Sequence, residues 1–313
     1  MNEKRSKIAY YVQDFGAMIA LALLVIGISI ISPQFRSVSN FLSLLRQSSI
    51  NGLIAFGMTF VILTGAIDLS VGSMLALSTV LCAKMITTGV PVGFAMLLSL
   101  CLGAGLGFIS GLLVTKGRLQ PFIATLITMT VYRGLTMIFS NGKPISNLGD
   151  SYILKLVGKG TYFGIPIPVI LLFLIFLFFL FLLTKTTFGR RIYATGSNWK
   201  SAKLAGVNIS RTKITAYVIS GIMSALSGLI LLSRLNSAQP TLGTGYELDA
   251  IAAVALGGTS MSGGRGKIYG TFIGVLIIAV LNNGLNILGV SSYYQDVIKG
   301  LVILIAVLSD RKR

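Results

Sequence analysis

The sequence predicts an all-α, polytopic membrane protein of about ten transmembrane helices with both termini in the cytoplasm. Three observations carry that prediction. The 313 residues are 54% hydrophobic and only 11% charged, with a mean hydropathy of +0.87, a balance foreign to soluble globular domains. Apolar segments recur at lengths suited to a hydrocarbon core of about 30 Å. The 26 basic residues divide 17 to six to three between inner segments, outer segments (Arg36, Arg46, Lys143, Lys155, Lys159, Arg234) and spans (Lys84, Arg133, Lys299). That bias follows the positive-inside rule. A net charge of +18 spread this thinly among apolar runs points to basic loops on a membrane, not to a nucleic-acid-binding surface.

The ten spans are read at 15–32, 42–65, 70–88, 92–115, 121–140, 166–184, 212–234, 246–258, 268–289 and 293–309. The first follows Lys4, Arg5 and Lys7, as a signal peptide would, but ends at Ile30-Ile31-Ser32-Pro33 without a small-x-small cleavage site, so it is read as an uncleaved span. The second opens on Gln47, Ser48, Ser49 and Asn51, amides and hydroxyls that need partners inside a membrane. In the fourth, Gly103, Gly107 and Gly111 recur every four residues, as do Ser220, Ser224 and Gly228 in the seventh and Gly270 and Gly274 in the ninth. Such spacing lets helix backbones approach closely. The sixth is Leu, Ile and Phe all round, which suits a lipid-facing helix. The eighth, only about 13 residues with Glu247 and Asp249 at its start, reads as a broken or tilted helix. The tenth begins with Tyr293, Tyr294 and Gln295.

Thr64-Gly65-Ala66-Ile67-Asp68-Leu69-Ser70-Val71-Gly72-Ser73 and Thr244-Gly245-Tyr246-Glu247-Leu248-Asp249-Ala250 each put an acid and glycine at a membrane-helix start, five spans apart. An odd offset inverts the second copy, so the echo predicts a weak five-span inverted repeat, the architecture of many transporters. Asp68, Glu247 and Asp249 each sit where free backbone N–H groups stabilise anions, which favours a capping and anchoring role over proton carriage. Arg133 and Lys299 lie near enough to span ends for snorkelling to suffice. Gln47, Asn51, Asn282, Asn286 and Tyr293 are candidates to line a path for a neutral polyol or sugar, with Asn282 and Asn286 sharing a helix face. Helix-to-helix hydrogen bonding is the competing role for these amides.

The chain has no His, and its two Cys, Cys82 and Cys101, lie in apolar runs. No metal site and no catalytic residue is expected. No Gly-x-x-x-x-Gly-Lys-Ser/Thr loop occurs, so ATP hydrolysis is not expected in this chain. The cytoplasmic loop 185–213 does carry a docking element. Asn198 or Ser197 as N-cap and Gly206 as C′ residue bracket a helix of about two turns, and Trp199, Ala202, Leu204 and Ala205 give it an apolar side. From the residues alone it either docks into a partner's groove or lies on anionic lipid.

The run Ile62–Ser73, the loop run Tyr193–Asn208 and the stretch Ser237–Ser260 resemble the membrane permeases of bacterial ATP-binding-cassette importers for monosaccharides. The likeness runs nearly end to end, and Leu281–Gln295 is similar to the C-terminal signature of the ribose-carrying members. The family's motif usually carries Gly where Ala66 stands here. The resemblance implies one transmembrane domain, 1–313, in the bacterial inner membrane. It also implies a second permease copy, a cytoplasmic ATPase with two nucleotide-binding domains holding ATP and Mg, and an extracytoplasmic sugar-binding protein. No cofactor is expected on this chain. By the same likeness Asn198, Trp199, Ala202, Leu204 and Gly206 form the coupling helix, while Gly65, Asp68, Ser70, Gly72, Glu247 and Asp249 are motif residues. An ion-coupled secondary sugar transporter is the alternative function, motivated by the inverted echo and the three acids.

Overall fold

The structure, a computed structural model, describes residues 2–310. The side chains of residues 2–15, 306, 307, 309 and 310 are outside that description, and so are residues 311–313. The side chains of Lys4, Arg5 and Lys7 and the whole of Arg311, Lys312 and Arg313 therefore lie outside the description. In chain order the helices are α1 (Asn2–Ile31), α2 (Val38–Leu63), α3 (Val71–Thr87), α4 (Val92–Thr115), α5 (Pro121–Ser140), α6 (Tyr152–Lys159) and α7 (Ile167–Lys185). There follow α8 (Thr187–Ser197), α9 (Trp199–Leu204), α10 (Ile209–Leu235), α11 (Tyr246–Leu256), α12 (Ile268–Ile287) and α13 (Ser292–Asp310). A helix thus lies on every apolar segment read from the sequence. Among the described residues, α4, α5, α7, α10 and α12 are long and apolar enough to cross a membrane, and Gly16–Ile31 and α3 are shorter apolar helices.

Two features depart from the sequence reading. The segment between α5 and α7 folds into α6 flanked by two-residue strands, β1 (Ile145–Ser146), β2 (Thr161–Tyr162) and β3 (Ile165–Pro166). β2 pairs antiparallel with β3, and β1 pairs antiparallel with β4 (Ser237–Ala238), tying this cap to the chain beyond α10. Gly158 of α6 rests against α10, where its N–H donates to Ser233 Oγ at 2.9 Å. The loop 185–213 also holds more helix than expected, α8 as well as α9, because Thr186 accepts from the Gly189 N–H and starts a turn at once.

The core sits where α2 and α10 pass each other. Leu53 through Leu63 on α2 are buried, and on α10 Ser220, Ser224 and Ser227 are as inaccessible as their apolar neighbours. Hydroxyls tolerate this because each finds an acceptor: Ser224 donates to the Ser220 carbonyl and Ser227 to those of Met223 and Ile50, all at 2.9 Å. α4 closes on α10 through its glycine row. A Cβ at Gly103 would meet the Gly221 carbonyl oxygen at 2.5 Å, and one at Gly111 would meet Ile214 Cα at 2.9 Å. Gly270 and Gly274 of α12 lie in the same way against Gly257 and Ala253 of α11 and its C-terminal end. α7 buries one stripe, Leu172, Phe179 and Leu183, where Phe60 meets Phe179 edge-on with centroids 4.8 Å apart. Much of the rest of α7, including Phe173, Leu174, Phe178 and Phe181, is exposed, as the lipid-facing expectation requires.

α3 and α11 are short helices reached through non-helical backbone. After α2 ends, Gly65 turns at φ 74°, and residues 66–68 run on without helical structure before α3 begins at Val71. After α10 ends, residues 237–245 lead to Gly245, which turns at φ 83° into α11. These lead-in segments meet: a Cβ at Gly72 would overlap the carbonyl oxygen of Gly243 and stand 2.7 Å from Glu247 Oε2. The left-handed conformation ahead of α3 belongs to Gly65 and not to its neighbour. Ala66, where the resembled family usually has Gly, therefore fits without strain.

Candidate functional site

Two regions hold the polar chemistry: the segments leading into α3 and α11 inside the helix packing, and the α8–α9 loop beyond its end.

In the first, fully buried Asp68 anchors the start of α3. Its Oδ1 accepts from the Ser70 N–H at 3.0 Å and from Ser70 Oγ at 2.5 Å, while Oδ2 accepts from Ser220 Oγ of α10 at 2.8 Å. All three donors are neutral, so Asp68 ties α10 to the start of α3 by hydrogen bonds alone. Ser70 is the residue before α3, and its side chain is spent on Asp68 rather than on capping N–H groups. Ahead of α11, Glu247 Oε1 accepts from the Gly245 N–H at 3.2 Å, at the first turn.

Arg133 corrects the snorkelling expectation. Its Nη1 donates to the carbonyl oxygens of Pro240 and Leu242 at 2.7 and 2.9 Å. The non-helical backbone before α11 has carbonyls without helical partners, and a guanidinium from α5 satisfies two of them. Lys299 corrects it again: the ammonium lies 3.3 Å from Asp249 Oδ1 as an ion pair between α13 and α11.

Asp249 is the hub of a four-helix polar cluster. Asn51 of α2 donates to its Oδ2 at 3.3 Å, and Asn282 of α12 lies beside it. Asn282 is 7% exposed, and its Oδ1 has no partner among the described residues. Of the path residues read from the sequence, the structure brings Asn51 and Asn282 together on Asp249. Asn286 diverges and accepts from Gln295 Nε2 at 2.9 Å, Gln47 lies outside the cluster on the exposed side of α2, and Tyr293 is 85% exposed at the start of α13. Asn283 pairs reciprocally with Asn40, at 3.0 and 2.9 Å. Lys299 is the member of the cluster that sequence reasoning missed. Its signal is a lone cation within an apolar span, whose counter-ion lies 50 residues away in the chain.

In the second region Asn198 caps α9 by accepting from the N–H groups of Lys200 and Ser201, both at 3.1 Å. Gly206 ends the helix at φ 82° as read, and of the two N-cap candidates it is Asn198, not Ser197, that caps. The apolar side does not form as expected. Ala202 turns inward and is 5% exposed, whereas Trp199 and Leu204 are 54% and 90% exposed. At about 100° per residue, Leu204 stands about 160° from Ala202 and cannot share its face, while Trp199, about 60° from Ala202, lies at the edge of that face and stays half-exposed. α8 rests on the end of α2: Gly196 lies against the Leu63 carbonyl, Tyr193 OH donates to the Gly266 carbonyl at 2.9 Å, and the Gly264 N–H donates to Leu63 O at 2.9 Å. Trp199 and α9 are thus two short steps from the Gly65–Asp68 segment.

A family model described as "Branched-chain amino acid transport system / permease component" matches residues 40–307. The chain belongs to that permease family. The chain is 58% identical over 311 residues to the ribose import permease protein of Bacillus subtilis (strain 168), covering 99% of this chain and 97% of that one. It is 49% identical over 296 residues to the ribose import permease protein of Haemophilus influenzae, covering 94% and 92% of the two chains. With that of Escherichia coli (strain K12) it shares 48% over 300 residues, covering 95% and 93%. No solved structure matches significantly. As a member of a permease family with several apolar helices, the chain is a multi-pass membrane transport component.

Proposed function

We propose that the chain is the permease of an ATP-driven importer that carries ribose into the cytoplasm across the bacterial inner membrane. The observation that carries this is the identity of 48–58% with ribose import permeases over nearly the full length of each chain. Residues 1–313 then act as one transmembrane domain with the coupling loop 185–213 on the cytoplasmic side, in a pair with a second copy. ATP and Mg are held by a separate cytoplasmic ATPase with two nucleotide-binding domains, and an extracytoplasmic binding protein delivers the sugar. The ten helical segments span the membrane with both termini inside, and the starts of α3 and α11 are the corresponding points of a five-span inverted repeat. Asn198, Trp199, Ala202, Leu204 and Gly206 form the coupling helix. Its movement would reach the start of α3 through α8 and Leu63. Gln47, Asn51, Asn282, Asn286 and Tyr293 line the sugar path. Neutral amides suit a polyhydroxylated, uncharged substrate, because they donate to and accept from hydroxyls without a charge to desolvate.

Nothing favours the ion-coupled alternative. Asp68, Glu247 and Asp249 are each held by donors of the fold itself. The test is purification of the tagged chain from its native membrane, followed by uptake in vesicles. An ATPase subunit is expected to copurify and ribose uptake to require ATP; uptake that collapses with an uncoupler while ATP remains high would overturn the proposal.

Two variants test the assignments. Gly206→Val places a β-branched residue at φ 82°, a strain of about 1–2 kcal/mol on a short helix. Uptake is expected to fall several-fold while the amount of permease in the membrane stays unchanged. Asn282→Ala with Asn286→Ala is expected to reduce ribose flux while ATPase stimulation is partly retained, and normal flux would remove both from the path.

A further inference from the structure

Beside α9, the ends of α4 and α10 enclose a groove of about 970 Å³ whose lining includes Lys116, Arg118, Trp199, Lys203, Asn208 and Lys213. Four of the twelve lining residues are cations, and none is an acid. None of the four has a carboxylate partner among the described residues. None is available nearby in the chain either, because residues 69–149 and 151–246 contain no Asp or Glu at all. Basic residues placed only to orient the spans need to be on the inner side; they do not need to converge on one concavity, nor to be half-buried in it, as Lys213 is. Arg118 holds its position at φ 54°, where an asparagine or glycine would sit at lower cost.

We propose that this groove receives a carboxylate-rich segment of the cytoplasmic ATPase, as a second contact beside the coupling helix. The inference rests on the proposed function, which presents α9 to that ATPase, and the groove is continuous with α9 through Trp199 and Lys203. Opposite charge steers the encounter and sets its register, and a concave wall with an aromatic edge gives the contact shape. An anionic headgroup shares the charge, but Trp199 and Lys203 stand on α9 itself, the helix that the proposed function gives to the ATPase.

The test uses the full chain in nanodiscs of phosphatidylcholine alone, with the ATPase that copurifies with it. The dissociation constant is measured against salt concentration for the wild type and for the variant K116Q/R118Q/K203Q/K213Q. The variant is expected to bind at least about tenfold more weakly at low salt and with a flatter salt dependence. The charge-preserving K116R/K203R/K213R is expected to bind as the wild type does, which guards against a folding defect. Trp199 is the only tryptophan, so its emission reads groove occupancy directly, and poly-glutamate, but not poly-lysine, is expected to shift it. Equal affinity and salt dependence of the glutamine variant, or no emission shift, would overturn the inference with the proposed function intact. A difference that emerges only when phosphatidylglycerol is added would assign the groove to lipid and overturn it too. A wild-type chain that holds no ATPase at all would sink the proposed function and this inference with it.

Discussion

Gly72→Leu is expected to abolish the folded permease rather than to tune it. The segments at the starts of α3 and α11 touch backbone to backbone at Gly72 and Gly243, and a side chain at position 72 would run into the Gly243 carbonyl and Glu247 Oε2. Neither obstacle is the free end of a flexible side chain. The carbonyl belongs to the loop that Arg133 clamps through Pro240 and Leu242, and the Glu247 carboxylate is held by the Gly245 N–H. Overpacking of a fitted core costs about 1–3 kcal/mol where neighbours can shift. Here they can shift only by breaking the Arg133 contacts, which leaves carbonyls unsatisfied inside the packing at about 1–3 kcal/mol more each. The expected result is a permease that is degraded or elutes as aggregate in detergent, with no ribose uptake. Gly105→Leu is the control: it lies on α4 with open space where a Cβ would stand, and should leave elution and uptake unchanged. A Gly72→Leu chain with wild-type thermal stability would show that the helix starts part freely.

Much of this fold is legible because a bilayer reduces sequence reading to hydropathy, length and charge. The α4 and α5 boundaries coincide with the segments read from the sequence, and those of α3 and α7 lie within one residue. Asn198 and Gly206 announce α9 because capping is a local interaction that residue type alone encodes. The echo around Asp68 and Glu247 points to the paired starts of α3 and α11 for a similar reason: a glycine beside an acid marks a helix start. What the sequence hides is long-range. Nothing near Arg133 in the chain says that its partners are the carbonyls of residues 240 and 242, and nothing near Lys299 names Asp249. Snorkelling is the reading that sequence alone supports for both, because a solitary cation is cheapest to explain by its own flexibility. The i, i+4 spacing of Asn282 and Asn286 locates them on one face but says nothing of partners, and Asp249 and Gln295 draw them to different helices. Ala202 shows the same limit, since composition supplies four apolar residues around α9 and only three-dimensional packing decides which one turns inward.

Lys299→Met is expected to destabilise the permease more than the pair Asp249→Asn with Lys299→Met. Asp249 is 6% exposed, and of the partners that touch it only Lys299 carries charge. Removing the ammonium leaves the carboxylate without its counter-ion in a low-dielectric interior, where it must stay charged at a cost or take up a proton. Breaking one side of a buried pair typically costs about 3–5 kcal/mol, and the partial exposure of Lys299, 24% of its side chain, brings the expected loss to about 2–3 kcal/mol. The second change removes the orphaned charge while an asparagine at 249 still accepts from Asn51. Replacing both members of a buried pair is close to neutral where shape is kept. The double variant should therefore recover most of the lost thermal stability in detergent, although its gain over Lys299→Met is a difference between two variants and not the worth of the ion pair. Transport need not recover with it. If Asp249 serves only to hold α13 against α11, the double variant regains uptake along with stability. If Asn51 and Asn282 present sugar-binding groups that the carboxylate orients, stability returns and uptake does not, because an amide at 249 adds a donor where the two asparagines meet only an acceptor. Equal stability of Lys299→Met and wild type would refute the pair as a structural tie.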